Sequence, residues 1–124
     1  MLKLKTVERI WDRDGGFCLM ALPYCNGEAQ VADHRANRGM GGSKVLDNLA
    51  NLISACSSCN TAKADAHSLV LLDLEDRGLY VRPGATHLAT LRRVRETPVE
   101  YLDGSRWWLT GWCTREPADL GPEW

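Results

Sequence analysis

The chain has no apolar stretch able to cross a bilayer: residues 69–72 make a run of four and residues 17–22 a run of six, against the roughly 20 that a spanning helix requires. Its opening, MLKLKTVERIWDRD, lacks the apolar core of a secretory leader. The expected setting is therefore a reducing cytoplasm with no membrane partner, where spaced cysteines more often hold metal than form disulfides. There is no internal repeat and no low-complexity tract. The stretch RGMGGSK is not a phosphate-binding P-loop, because Gly-Lys-Ser/Thr is absent and Ser43-Lys44-Val45 runs the wrong way. Neither charge dominates: 15 basic against 16 acidic residues leave a net charge of −1. Composition alone thus gives no sign of nucleic acid, whose phosphates demand local positive charge.

What is present, 124 residues with 44% hydrophobic and 25% charged, is the make-up of one folded domain small enough for a bound metal to help it. Thr6 is placed to cap a short helix with Val7, Ile10 and Trp11 on one side, ended by Asp14-Gly15-Gly16. Residues 29–33 read as a strand with His34 at its end, residues 35–47 as loop, 48–51 as a turn capped by Asp47, 52–54 as a second strand running to Cys56, and 59–67 as a helix. Further on, residues 78–82 read as a strand stopped by Pro83, and residues 99–110 as a hairpin turning at Asp103-Gly104. The order predicts an α+β fold in two parts. Residues 1–70 form the core, and residues 71–124 form a β-rich extension packed on it, with a tail over 116–124 that stays poorly ordered unless Trp124 docks.

Four of the five cysteines form two spaced pairs. Six residues separate Cys18 from Cys25, and two separate Cys56 from Cys59. Thiolates at tetrahedral geometry make a closed structural zinc site with no position left for substrate. The alternative is four buried free thiols behaving as small apolar side chains, but Cys-x-x-Cys just before a helix is a recurring zinc knuckle. Cys113 has no partner in this pattern and is expected to be a packed free thiol.

Between the two knuckles lies Asp33-His34; Asn51 follows His34 by 17 residues, and Asn60 comes nine later, directly after the Cys-x-x-Cys. An isolated histidine is more often a surface or satisfied core residue than a catalyst, and His67 and His87 are read that way. The string DH…NL…CxxCN…K, from about Arg13 to His67, resembles the HNH endonuclease family in its zinc-binding form. That resemblance implies a small ββα-metal core stapled by Cys18, Cys25, Cys56 and Cys59 around a structural Zn²⁺, with a C-terminal β-hairpin extension. It implies His34 as the general base that takes a proton from water, and Asp33 and Asn60 as ligands of one catalytic Mg²⁺ or Mn²⁺. Asn51 corresponds to the middle asparagine, which braces the loop and holds the histidine. Many members carry histidine where this chain has Asn60, making it an HNN variant.

Elementary chemistry agrees with those roles. Asp33 and Asn60 offer oxygen donors, which suit a hard ion that keeps several waters and accepts phosphate oxygens. A histidine near its usual pKa of about 6.5 is mostly neutral, hence basic, at slightly alkaline pH. Consecutive strand residues point to opposite faces, so Asp33 and His34 can serve one site only if the strand ends or bends there. Arg35, Arg38, Lys44 and Lys63 surround the motif and are expected to contact DNA phosphates, whereas Trp107-Trp108 is read as hairpin packing.

The reading is thus a metal-dependent HNH DNA endonuclease, with a non-catalytic zinc-stapled nucleic-acid-binding or assembly module as the alternative. Small stand-alone chains of this kind resemble phage or prophage proteins. The expected partners are DNA and either a second copy of the chain or a larger DNA-processing complex such as a terminase, in the cytoplasm of a bacterial host.

Overall fold

A computed structural model describes residues 2–37, 39 and 44–118. The expectations placed on Arg38, on the glycines of the RGMGGSK loop beyond Gly39 and on residues 119–124 lie outside the described residues. Among those described are four helices and two small antiparallel sheets, an α+β arrangement. Helix α1 covers Leu4–Arg13 and strand β1 Val31–His34; a 3₁₀ turn at Leu49–Asn51 leads into β2, Leu52–Ala55, and then α2, Ser57–Ala64. Helices α3, Ser68–Asp76, and α4, His87–Arg95, precede β3, Val99–Glu100, β4, Arg106–Leu109, and β5, Arg115–Pro117. No helix among the described residues is long and apolar enough to cross a membrane.

Helix α1 begins one turn before Thr6: its N-cap is Lys3, without a side-chain cap, and Val7 N–H already donates to Lys3 O. Gly15 and Gly16 then stop it at φ of 78° and 82°, a region that glycine enters without a Cβ clash. The chain between α1 and β1 doubles back on itself. Cys18 N–H donates to Gly27 O and Ala29 N–H to Gly16 O, so the first cysteine loop closes as a bridged hairpin.

Strands β1 and β2 pair antiparallel, with Val31 opposite Ala55 and His34 opposite Leu52. Every residue of β2 is buried, because α1 covers this ribbon and α2 leaves from its end. The 3₁₀ turn before β2 is capped by Asn48, whose side chain accepts from Ala50 N–H, and not by Asp47. One apolar cluster runs from Cys18, Leu19 and Met20 through Ile53 to Leu74, Leu79, Val94, Val99 and Leu109. The two halves of the chain therefore share a core.

The C-terminal half departs from the expected β-rich extension. Two helices stand where only strands were anticipated, and α3 begins before residue 71. Residues 78–82 form no strand: Leu79 and Tyr80 N–H both donate to Leu74 O, closing the end of α3, and Val81 N–H donates to Arg35 O. The hairpin at Asp103-Gly104 forms, but with a longer turn, in which Tyr101 N–H donates to Ser105 O and Gly104 N–H to Tyr101 O. A third strand, β5, joins β4. It takes Glu116 and Pro117 into the sheet and Ala118 into the interior, so the start of the supposed loose tail is ordered.

Candidate metal centre and cleft

The first cysteine loop and the β2–α2 junction meet at one corner. The sulfurs of Cys18, Cys25, Cys56 and Cys59 all lie within 4.8 Å of one another, and the Cys25–Cys56 pair is 3.9 Å apart. A tetrahedral zinc with Zn–S bonds of about 2.3 Å separates its sulfurs by about 3.8 Å, so the corner needs little contraction to hold one. Main-chain N–H groups point at the sulfurs, Gly27 to Cys25 at 3.4 Å and Cys59 to Cys56 at 3.3 Å. Burial opposes ionisation of Cys56, but N–H groups of Asn26 and Cys59 and the neighbouring thiols bring it down to about 7. Burial pushes Cys18 and Cys59 up. Four thiols so placed can hold a structural metal such as zinc, whose charge permits all four to ionise.

At the opposite end of the β1–β2 ribbon is a cleft of about 410 Å³ bordered by Asp33, His34, Asn37, Asn60, Lys63 and Tyr80. Strand β1 ends at His34 and the chain bends at Arg35, which lets Asp33 and His34 border one space despite the strand alternation. A second hollow of about 430 Å³, walled by Leu4, Val7 and Trp11 of α1, shares Asp33, His34 and Asn60 with the first. His34 Nε2 lies 2.8 Å from Asp47 Oδ1.

Asn51 is fully buried. Its Oδ1 accepts from Ala36 N–H, and its Nδ2 donates to Ala36 O and Leu46 O. It ties together the two ends of the loop that leaves β1 and returns through Asp47, and so fixes both partners of the histidine–carboxylate pair. Asn60, in the first half of α2, makes no side-chain hydrogen bond with the described residues.

The four expected phosphate contacts do not share one fate. Arg35 is wholly buried: Nε donates to Gly78 O at 2.7 Å, Nη1 to Ala50 O and Val94 O, and Nη2 to Thr97 O at 2.6 Å. That side chain cannot reach a phosphate, because it is wholly buried and four of its five N–H donors are spent on main-chain carbonyls. Burial draws its pKa down to about 9, which still leaves it charged at neutral pH. Lys63 borders the cleft, but its ammonium is bound 2.5 Å from Asp33 Oδ2 and 2.8 Å from His34 O. Burial lowers the Lys63 pKa and Asp33 opposes that shift. Lys44 is exposed, and Arg38 lies outside the described residues.

Two residues that contact the cleft side chains escaped the sequence reading. Asp47 had a signal, since it sits four residues before Asn51 in the loop that returns to the motif, but it was read as a helix-turn cap. Tyr80, under the Lys63 ammonium at 5.8 Å, had none. No family model, curated protein or solved structure matches this chain, so a functional reading rests on these residues.

Proposed function

We propose that the chain is a metal-dependent DNA endonuclease of the HNH type, in its HNN form, with β1, β2 and α2 as the ββα-metal core. The observation that carries this reading is the placement of Asp33, His34 and Asn60 around one cleft, with a carboxylate on His34. An acid, an imidazole and an amide that makes no side-chain hydrogen bond with the described residues, gathered at one concave point, are groups that a metal-assisted hydrolysis can use. The donor set fits a hard ion: one carboxylate and one amide oxygen suit Mg²⁺ or Mn²⁺, which retains several waters.

When bound, the ion supplies charge stabilisation to the phosphate oxygens and the leaving oxygen. His34 takes a proton from the attacking water. Asp47, 2.8 Å from Nε2, orients the imidazole as a carboxylate partner does. Asn51 keeps the loop from drifting, and Asp33 and Asn60 orient the ion. The products are a 5′-phosphate and a 3′-hydroxyl. In this reading Lys44 and Arg38 remain the candidate phosphate contacts, and Arg35 is a structural residue.

One observation favours the alternative, a zinc-stapled nucleic-acid-binding module: the Lys63 ammonium neutralises Asp33. Supercoiled and linear DNA incubated with zinc-loaded protein, with and without Mg²⁺ or Mn²⁺, separates the two. The nuclease reading expects nicked or cut products only with the added ion. Binding without cleavage of either form would replace it with the module.

A further inference from the structure

Lys63 Nζ has three protons and three oxygen acceptors: Asp33 Oδ2 at 2.5 Å, His34 O at 2.8 Å and Leu79 O at 3.3 Å. The Tyr80 ring lies beneath it, and the two side chains of the ion pair are only 11% and 14% exposed. This is a built cation seat. Its acceptors come from β1 and from the segment that closes α3, two elements far apart in sequence, and it is filled by a side chain of α2. A surface ion pair of long flexible groups would be loose and screened; this one is enclosed and saturated.

We propose that Lys63 is a built-in counter-cation that competes with the divalent ion for Asp33, so that metal is held there only when the ammonium gives way. The inference rests on the nuclease reading above. Two features force the competition. The carboxylate oxygen nearest the ammonium is already engaged, and a divalent ion on the other oxygen stands within a few ångströms of a like charge in a partly enclosed space, where repulsion is poorly screened. The seat itself is made of oxygens, the donor type that a hard cation takes. Once displaced, the ammonium stays in the cleft on α2, where a phosphodiester oxygen is its natural alternative partner. Lys63 is accordingly a positioning residue that sets when the ion binds.

Titration with Mn²⁺, followed by its electron paramagnetic resonance signal on zinc-loaded protein, tests this without reference to cleavage. Lys63→Met and Lys63→Gln are expected to bind Mn²⁺ on the order of tenfold or more tightly than the parent, and Asp33→Asn to abolish that binding in each background. Equal or weaker binding in the Lys63 variants, still dependent on Asp33, would overturn the competition and leave the nuclease reading standing. Absence of any Asp33-dependent Mn²⁺ binding in parent and variants would overturn both. Should the variants fail to fold, the parent decides alone. In ¹⁵N-lysine spectra the Lys63 ammonium is expected as a slowly exchanging signal that saturating Mg²⁺ shifts or removes, and a signal unmoved by Mg²⁺ would contradict the proposal.

Discussion

Arg35 follows the candidate base directly and faces the other way, with its guanidinium satisfied by the carbonyls of Ala50, Gly78, Val94 and Thr97. A buried charge held by several hydrogen bonds is costly to remove, because its partners are left without donors. Arg35→Met should therefore lower unfolding free energy by roughly 3–5 kcal/mol, measured by urea denaturation. Arg35→Lys should recover little of that loss, since one ammonium cannot span four separated acceptors. A variant as stable as the parent would show that these bonds contribute nothing net. Asp14 makes a parallel case nearby. It accepts from Arg13 and from Ser54 N–H, and the Tyr101 hydroxyl donates to it. Nothing local in the sequence announces that distant carbonyls will converge on Arg35 or distant donors on Asp14.

At the scale of elements, Gly78 is the hinge between α3 and the segment that lines the cleft. Its φ is +73°, and an added Cβ would sit 1.9 Å from Pro98 O, a backbone atom that cannot swing aside. Gly78→Ala should thus cost roughly 2–5 kcal/mol, combining left-handed strain with overpacking, as a drop in denaturation midpoint. Unchanged stability would mean that the α3 terminus is not tied to the Pro98 strand entry. The same segment explains why the C-terminal half was hard to read. Leu79, Tyr80 and Val81 have strand-like composition, but their N–H groups go to Leu74 O and Arg35 O, which only the tertiary fold supplies. Helix α4 did carry signals: Thr86 caps it by accepting from Ala89 N–H, and Leu88, Leu91 and Val94 follow at helical spacing. In the N-terminal half the β1–β2 pair, α2 and the four-cysteine corner were legible because turn glycines and thiol spacing act locally. Of the residues bordering the cleft, the acid Asp33, the imidazole His34 and the amide Asn60 stood out in the sequence. Its polar contacts, Asp47 with His34 and Lys63 with Asp33, were not legible, since they depend on where a loop returns and on which way α2 faces.

Over the whole molecule, one apolar cluster joins both halves and the cysteine corner sits within it, with Cys18, Cys56 and Cys59 buried. So small a domain has a modest core, and a four-thiolate zinc adds binding free energy to folding. The purified protein should carry about one zinc per chain, and chelation should unfold it, seen as coupled loss of far-ultraviolet circular dichroism and metal. A folded, reduced sample free of zinc by elemental analysis would contradict the staple. Because His34 pairs with Leu52 at one end of the β1–β2 ribbon and the cysteine corner adjoins Ala55 at the other, a change at His34 leaves that corner intact.

That separation makes His34→Ala the most direct test of the nuclease reading. The variant should keep its zinc content, its thermal unfolding and its DNA affinity, because in the proposed reading His34 acts on water and does not hold the fold. Its cleavage of supercoiled DNA in Mg²⁺ or Mn²⁺ should fall by roughly a hundredfold to ten-thousandfold, the usual worth of a positioned acid–base group, and excess Mn²⁺ should not restore it. Cleavage equal to that of the parent, at equal zinc content and DNA affinity, would contradict the assignment of His34 as the base.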